Sequence, residues 1–283
     1  MSNKIGYLGP EATFTHMAVN HFFPNEIRVP YATIPDCIDA AANGEIDYAV
    51  VPLENAIEGS VNITIDYLIH EQPLTIVGEI TVPVRQHLLV HPDRAETWKQ
   101  VRAVYSHPHA IAQCHKFLNS ELKGVRTEDM TSTSAAAKFV HENPEQHIAA
   151  IANEAAAEKY GLSVVRQDIH THQNNHTKFI VLHKQQSYLP AKHKPYGEKT
   201  TWMITMPSDY AGALYQVLAA FAWRKLNLSK IESRPMKTGL GRYFFLIDVE
   251  GSYAEVLQNG AKMELEALGC SVTLLGTYSC FRF

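Results

Sequence analysis

Short β-prone apolar runs take turns with segments of helical periodicity through the first part of this chain. Residues 4–8 precede a helix over about 13–22, residues 27–31 precede 35–43, and residues 47–51 precede 63–70. Alternation of strand and helix signals at this spacing predicts an α/β fold. A long β-prone stretch over 74–90 then leads into a second series. Residues 103–105 and a helix over 109–118, residues 125–128 and a helix over 134–141, and residues 148–151 and a helix over 154–160 follow in order. Runs at 163–168 and 179–183 complete the sheet signals.

The two series predict a two-lobed α/β domain over 1–184, of the periplasmic-binding-protein-like kind. One lobe takes about 1–79 with 170–184, the other about 80–169. The chain crosses between them near 80 and returns near 170, so a cleft lies between the lobes, a preferred place for a small molecule. Residues 185–199 are polar, carry Pro190 and Pro195 and have no periodicity, which marks a linker. Beyond it, over 200–283, the order is strand (200–206), helix (211–226), strand (228–235), strand (242–249), helix (253–268), strand (271–278), a ferredoxin-like βαββαβ pattern. Leu214, Val217, Leu218, Phe221 and Ala222 form the i, i+3, i+4, i+7, i+8 stripe of a helix that packs one face on a sheet.

Composition narrows the function classes. With 283 residues, 46% hydrophobic and 19% charged, the chain has enough apolar surface for sizeable cores, and disorder is not expected. A net charge of -4 and no Lys/Arg stripe give no field for nucleic acid, so any anion site must be built locally. The N-terminal residues have no apolar run for secretion and no stretch is long enough to span a bilayer, which predicts a cytoplasmic protein with no membrane role. Cys37, Cys114, Cys270 and Cys280 form no Cys-x-x-Cys pair and read as reduced core thiols. His170, His172 and His176 share a loop, but without ligand spacing they read as solvated side chains, and no metal is expected. Gly239-Leu240-Gly241 lacks the third glycine of a dinucleotide loop and no Walker A pattern occurs, so no cofactor is expected.

Three junctions of the first region share one plan: a strand, a short loop, and a helix whose first turn is rich in hydroxyls. They are Gly9-Pro10-Glu11-Ala12-Thr13-Phe14-Thr15, Ser106-His107-Pro108-His109-Ala110, and Thr131-Ser132-Thr133-Ser134. Each alone reads as helix capping. Converging on one cleft, their unpaired N–H groups and positive dipole ends would hold a carboxylate-rich ligand. Glu54 and Asn55 stand where a buried strand runs into a Gly-containing loop, the edge at which α/β folds place ligand contacts. Asn55 both donates and accepts, whereas Glu54 would repel an anion unless protonated or paired, which favours Asn55 as the contact. Thr177-Lys178-Phe179 sets a hydroxyl, a cation and a ring in sequence at the mouth of an apolar strand, a combination able to bind and protonate a small anion, although β propensity alone also accounts for it.

Taken in order and spacing, these segments resemble the prephenate dehydratase family over nearly the whole chain. The resemblance is carried by the Gly-Pro-x-x-Thr-Phe-Thr opening, Val51-Pro52-Leu53-Glu54-Asn55, Ser106-His107-Pro108, Ser132-Thr133-Ser134-Ala135-Ala136, Ala149-Ala150-Ile151-Ala152, Tyr160-Gly161-Leu162 and the Thr177 triplet, where the family has Thr-Arg-Phe. Gly212-Ala213-Leu214 and Glu232-Ser233-Arg234-Pro235 look like the two phenylalanine-binding motifs of that family's ACT regulatory domain. The resemblance implies a monofunctional enzyme that turns prephenate into phenylpyruvate with loss of CO2 and water, under feedback by L-phenylalanine, as a homodimer or homotetramer. It implies Thr177 as the catalytic hydroxyl. Lys178, Phe179, Asn55, Glu54, Thr13, Thr15, Ser106, His107, Ser132, Thr133 and Ser134 would line the substrate site. An arogenate dehydratase or a non-catalytic amino-acid sensor would share the same outline. Lys178 for the usual Arg keeps the charge but loses the bidentate fork. Ala56 replaces a usual Ser and His109 a usual Gln.

Overall fold

In the computed structural model, which describes residues 2–187, 189, 193–208, 210–236, 243–251 and 256–283, helices and strands alternate from the first residues onward. The opening elements are β1 (Lys4–Leu8), α1 (Phe14–Phe22), β2 (Ile27–Tyr31), α2 (Ile34–Asn43), β3 (Tyr48–Asn55), β4 (Gly59–Ser60) and α3 (Asn62–His70). β5 (Thr75–Pro83) and β6 (His87–Val90) follow, then β7 (Ala103–Ser106), α4 (Pro108–Gln113), α5 (His115–Glu121) and β8 (Arg126–Asp129). The series continues with α6 (Thr133–Glu142), β9 (Ile148–Ala152), α7 (Glu154–Tyr160), β10 (Ser163–Arg166) and β11 (His176–His183). Last come β12 (Gly197–Thr205), α8 (Ala213–Ala222), β13 (Leu228–Pro235), β14 (Tyr243–Glu250), α9 (Val256–Ala267) and β15 (Ser271–Arg282).

The chain divides into two units, one of residues 1–72, 81–179 and 283, the other of 73–80 and 180–282. The division falls inside β5 and β11, so the described residues of the 185–199 segment belong to the second unit. Tyr188, Pro190, Ala191 and Lys192 of that segment lie outside the described residues, as do Arg242, Tyr253 and Gly239-Leu240-Gly241.

The first unit holds two sheets. In one, β1 pairs in parallel with both β2 and β3, and the start of β11 runs beside β3. The other has the order β10-β6-β9-β7-β8. Period-2 alternation sends Leu89, Ala150 and Ala152 to one face of this second sheet and Leu88, Val90, Ala149 and Ile151 to the other. Both faces are covered, which is why β9 reads as an unbroken apolar run.

Two sequence expectations need correction here. The 74–90 stretch is two strands, because residues 84–86 bond elsewhere: Val84 N donates to Asn175 O at 2.8 Å, Gln86 N to His170 Nδ1 at 3.3 Å, and Gln86 O accepts from Ile169 N at 2.9 Å. The helix expected over 109–118 is also broken, at Cys114 (φ -104°, ψ 9°), where the Gln113 carbonyl accepts from Thr171 N at 2.8 Å. A 3-10 helix over Pro92–Gln100 has no counterpart in the apolar pattern.

In the second unit the order β12-α8-β13-β14-α9-β15 builds an antiparallel sheet β13-β14-β12-β15, and residues 75–80 of β5 run beside β15. Trp202, Ile204, Ile247 and Val249 from the strands meet Val217, Phe221, Ala261 and Leu265 from the helices in its core. Gly276 is required where β15 passes β5, since a Cβ there would fall 2.0 Å from the Ile76 carbonyl oxygen.

Candidate active site

Thr177 meets Asn55 because β11 lies against the C-terminal end of β3. Ala56 N donates to His176 O at 2.9 Å, which fixes the register of the two strands. The Asn55 side chain then has only one way to face. Its Oδ1 accepts from Ile57 N at 3.0 Å and Glu58 N at 3.2 Å, an Asx turn that opens the loop to β4. The amide nitrogen is thereby turned to β11, where Nδ2 donates to Thr177 Oγ1 at 2.9 Å and contacts His176 O at 3.3 Å. Thr177 accepts in this bond, so its own proton is left to be donated elsewhere.

Both residues line a cavity of about 900 Å³ within the first unit. Strand alternation puts Thr177 and Phe179 in its wall and turns Lys178 to the opposite face. There Lys178 Nζ pairs with Glu54 Oε2 at 3.1 Å, with the two side chains about one-third exposed (35% and 28%). β3 alternates in the same way, Asn55 facing the cavity and Glu54 away from it. Two residue pairs thus join the same two strands on opposite faces.

The junctions converge, but not all of their hydroxyls do. Thr13 caps α1, accepting from His16 N at 3.3 Å and donating to Pro10 O at 3.0 Å, and it lines the cavity together with Thr15. Ser132 caps α6 by accepting from Ala135 N at 3.0 Å, and Ser132 and Thr133 line the cavity as well. His107 caps α4 through Nδ1, which accepts from His109 N at 3.3 Å, and also faces the cavity. Burial, and then the neighbouring His109, lowers the His107 pKa. Ser106 and Ser134 depart from expectation: both are fully buried and spend their protons on main-chain carbonyls, Ile151 O and Glu11 O, each at 2.6 Å. Neither lines the cavity. Their hydroxyls tie loops to the core.

Charged side chains that sequence reasoning passed over also stand in the wall. Lys159 from α7 pairs with Glu11, and this bond, followed by the lysine's charge, holds the Glu11 carboxyl below its ordinary pKa. Glu58 pairs with His109 and accepts from Gln113 Nε2 at 3.0 Å. Both carboxylates at the cavity are therefore matched by cations or donors, which removes a repulsion an anionic ligand would otherwise meet. His16 packs on Tyr7 with ring centroids 5.1 Å apart, and burial lowers the His16 pKa and raises that of Tyr7. Lys159 stands directly before Tyr160-Gly161-Leu162, but nothing local shows which helix face meets the cavity.

In the second unit, Gly212 takes a left-handed conformation (φ 92°) at the N-terminus of α8, and among the described residues, its chain neighbours aside, no atom lies within 4 Å of where a Cβ would stand. Ala213 behind it is buried, and Leu214 packs against the core. On β13, which ends at Pro235, Glu232 pairs with Arg234 at 2.8 Å and with Lys230 at 3.0 Å, and Ser233 lies between them. Among the described residues no group of three His, Cys, Asp or Glu side chains is placed to hold a metal ion.

A family model described as prephenate dehydratase matches residues 5–187. The prephenate dehydratase of Bacillus subtilis (strain 168) is 57% identical over 283 residues, 99% of either chain. That of Lactococcus lactis subsp. cremoris (strain MG1363) is 39% identical over 279 residues, 98% of either chain. A crystal structure of prephenate dehydratase in complex with L-Phe, from Arthrobacter aurescens, superposes with a TM-score of 0.86 at 31% identity, covering 97% of this chain and 89% of that one.

Proposed function

The chain belongs to the prephenate dehydratase family, and from that premise we propose that the cavity bearing Thr177 holds prephenate while it becomes phenylpyruvate, CO2 and water. In this reaction the bond from the ring to its carboxylate breaks and its electron pair enters the ring. The ring carbon–hydroxyl bond breaks in turn, and aromatisation supplies the driving force. What the protein adds is orientation and a donor for the departing oxygen.

The observation that carries this reading is the bond from Asn55 to Thr177. A neutral hydroxyl is a weak acid, but one already accepting from an amide is polarised and aimed. Thr177 stabilises the charge that grows on the leaving oxygen, and the proton that completes water comes from solvent. The cavity walls suit the two carboxylates: Lys159, although paired with Glu11, keeps N–H groups to donate, His107 with its Nδ1 accepting has its Nε2–H to give, and the N-termini of α1 and α6 add positive dipole ends. Phe14, Val84 and Phe179 form an apolar part of the wall, which favours neutral CO2 over a carboxylate. Lys178 serves through Glu54, holding its strand edge instead of gripping a carboxylate directly. Phenylpyruvate formation, followed with prephenate and with arogenate as separate substrates, tests the reading. No product from either would overturn it.

We further propose that residues 200–283 form an ACT-type regulatory domain, joined by the 185–199 segment to a catalytic domain over 1–184. Phenylalanine would bind where Gly212 leaves open space at the start of α8, in reach of the polar end of β13 on the same or a second copy. In the two-copy form of that arrangement the assembly is a side-by-side dimer, alone or doubled into a tetramer. The L-Phe complex named for the Arthrobacter structure supports this reading.

A further inference from the structure

Gln86 stands in the wall of the same cavity as Thr177 and Asn55, yet neither the family's motifs nor the mechanism above uses it. It is 3% exposed, and its Oε1 is buried with no hydrogen-bond partner among the described residues. Its main chain is engaged from both sides, N on His170 Nδ1 and O on Ile169 N, so the backbone that carries the side chain is fixed. Gln113 also leaves its Oε1 unpartnered at this cavity, but its amide is tied through Nε2 to Glu58. The Gln86 amide has no such tie. Buried acceptors are almost always paired, so one left unpaired in a residue that lines a ligand cavity calls for a partner, and a ligand donor can supply it.

Prephenate has few donors to offer. Its two carboxylates are ionised at neutral pH and its ketone only accepts, so the ring hydroxyl is its one hydrogen-bond donor. We propose that Gln86 is a substrate-binding residue whose side-chain oxygen accepts the hydrogen bond of that ring hydroxyl. The inference rests on the reading of this cavity as the prephenate site. With its proton directed to Gln86, the hydroxyl presents its lone pairs to Thr177, the group that must donate as the oxygen departs. Gln86 thereby selects for the leaving group itself: a ligand without the hydroxyl leaves the buried oxygen unpaired.

The test compares prephenate with the analogue that carries hydrogen in place of the ring hydroxyl, in wild type and in Gln86→Met, which keeps side-chain length and removes the acceptor. Wild type should form phenylpyruvate and favour prephenate over the analogue by about tenfold or more, as a site built to pair a hydroxyl does. In Gln86→Met the KM for prephenate should rise and kcat fall, about tenfold or more in their ratio, while the calorimetric Kd of the analogue stays unchanged. Gln86→Asn, which draws the amide back by one methylene, is read by the same criterion and should lose part of the preference. A Met variant that keeps the wild-type preference, or that loses affinity for both ligands alike, overturns the assignment. So does failure of both variants to fold, which would give Gln86 to the fold. Should wild type itself form no phenylpyruvate, the cavity reading falls first, and that outcome is distinct from an active wild type with an indifferent Gln86.

Discussion

Asn55 Nδ2 donates to Thr177 Oγ1 at 2.9 Å, while Asn55 Oδ1 is held by Ile57 N and Glu58 N. The amide is a bracket between a turn and a hydroxyl, and each of its ends has its own consequence on substitution.

Removing the hydroxyl should cost turnover and leave the fold in place. Thr177→Val keeps the shape of the side chain, so its melting temperature should stay near wild type while kcat drops about 10²–10⁴-fold. Thr177→Ser retains the donor and should recover part of the rate. Steady-state kinetics of the two variants decide the matter: a Val variant with wild-type kcat would remove Thr177 from the mechanism.

Asn55→Asp separates the two ends. The aspartate still accepts from Ile57 N and Glu58 N, so the turn persists, but it meets Thr177 with an acceptor and draws the hydroxyl proton back from the cavity. We expect kcat to fall at least about tenfold with little change in melting temperature. Asn55→Ala should lower both, since it also leaves the turn's N–H groups without their acceptor. Equal kcat in Asp and wild type would reduce Asn55 to a turn residue.

The Glu54–Lys178 pair distinguishes a structural cation from a substrate anchor. Lys178→Arg should be tolerated. Lys178→Met should weaken activity, and the added change Glu54→Gln should restore much of it, with a coupling of about 0.5–1 kcal/mol in a double-mutant cycle on stability. A large rise in KM in Lys178→Met that Glu54→Gln leaves untouched would show that Lys178 grips the substrate directly.

Three histidines should make the protein acid-labile. His16, His87 and His107 accept main-chain N–H bonds at Nδ1, from Ala12, Asp168 and His109, and burial lowers the pKa of each. With folded pKa values below the unfolded one, the unfolded chain binds more protons. Stability is therefore complete above about pH 6.5 and falls as pH drops toward the folded values. Melting temperatures from pH 7.5 to 5 should decline below about 6.5, and His16→Gln or His87→Gln should flatten the slope. A curve without decline down to pH 5.5 contradicts this.

Phenylalanine control can be tested at Gly212. Since φ is 92° there, valine would strain the backbone whatever the ligand does, and asparagine is the better probe because it tolerates the left-handed region. Gly212→Asn should melt near wild type and lose phenylalanine affinity by about tenfold or more in calorimetric titration, as a side chain fills the space left for the ligand. By linkage, substrate should weaken phenylalanine binding in wild type. Undiminished binding to the Asn variant would move the effector site elsewhere.

Much of this architecture could be read from local pattern. The strand–helix alternation, the βαββαβ order of the last region and the capping roles of Thr13 and Ser132 rest on periodicity and on residue chemistry that act over a few positions, whereas the part proposed for Thr177 rests on the family resemblance. What could not be read were choices made across long separations. Lys178 and Thr177 are neighbours in sequence, and which of them faces the cavity depends on the register of β11 against β3, more than 120 residues away. Ser106 and Ser134 look like the other junction hydroxyls, and only the approach of Ile151 and Glu11 commits them to main-chain carbonyls. Lys159 and Gln86 carry no local mark of their place in the wall. One residue's slip in a strand exchanges its two faces, and nothing within a strand says what will lie on each, so the distinction between a site residue and a scaffold residue is made by packing.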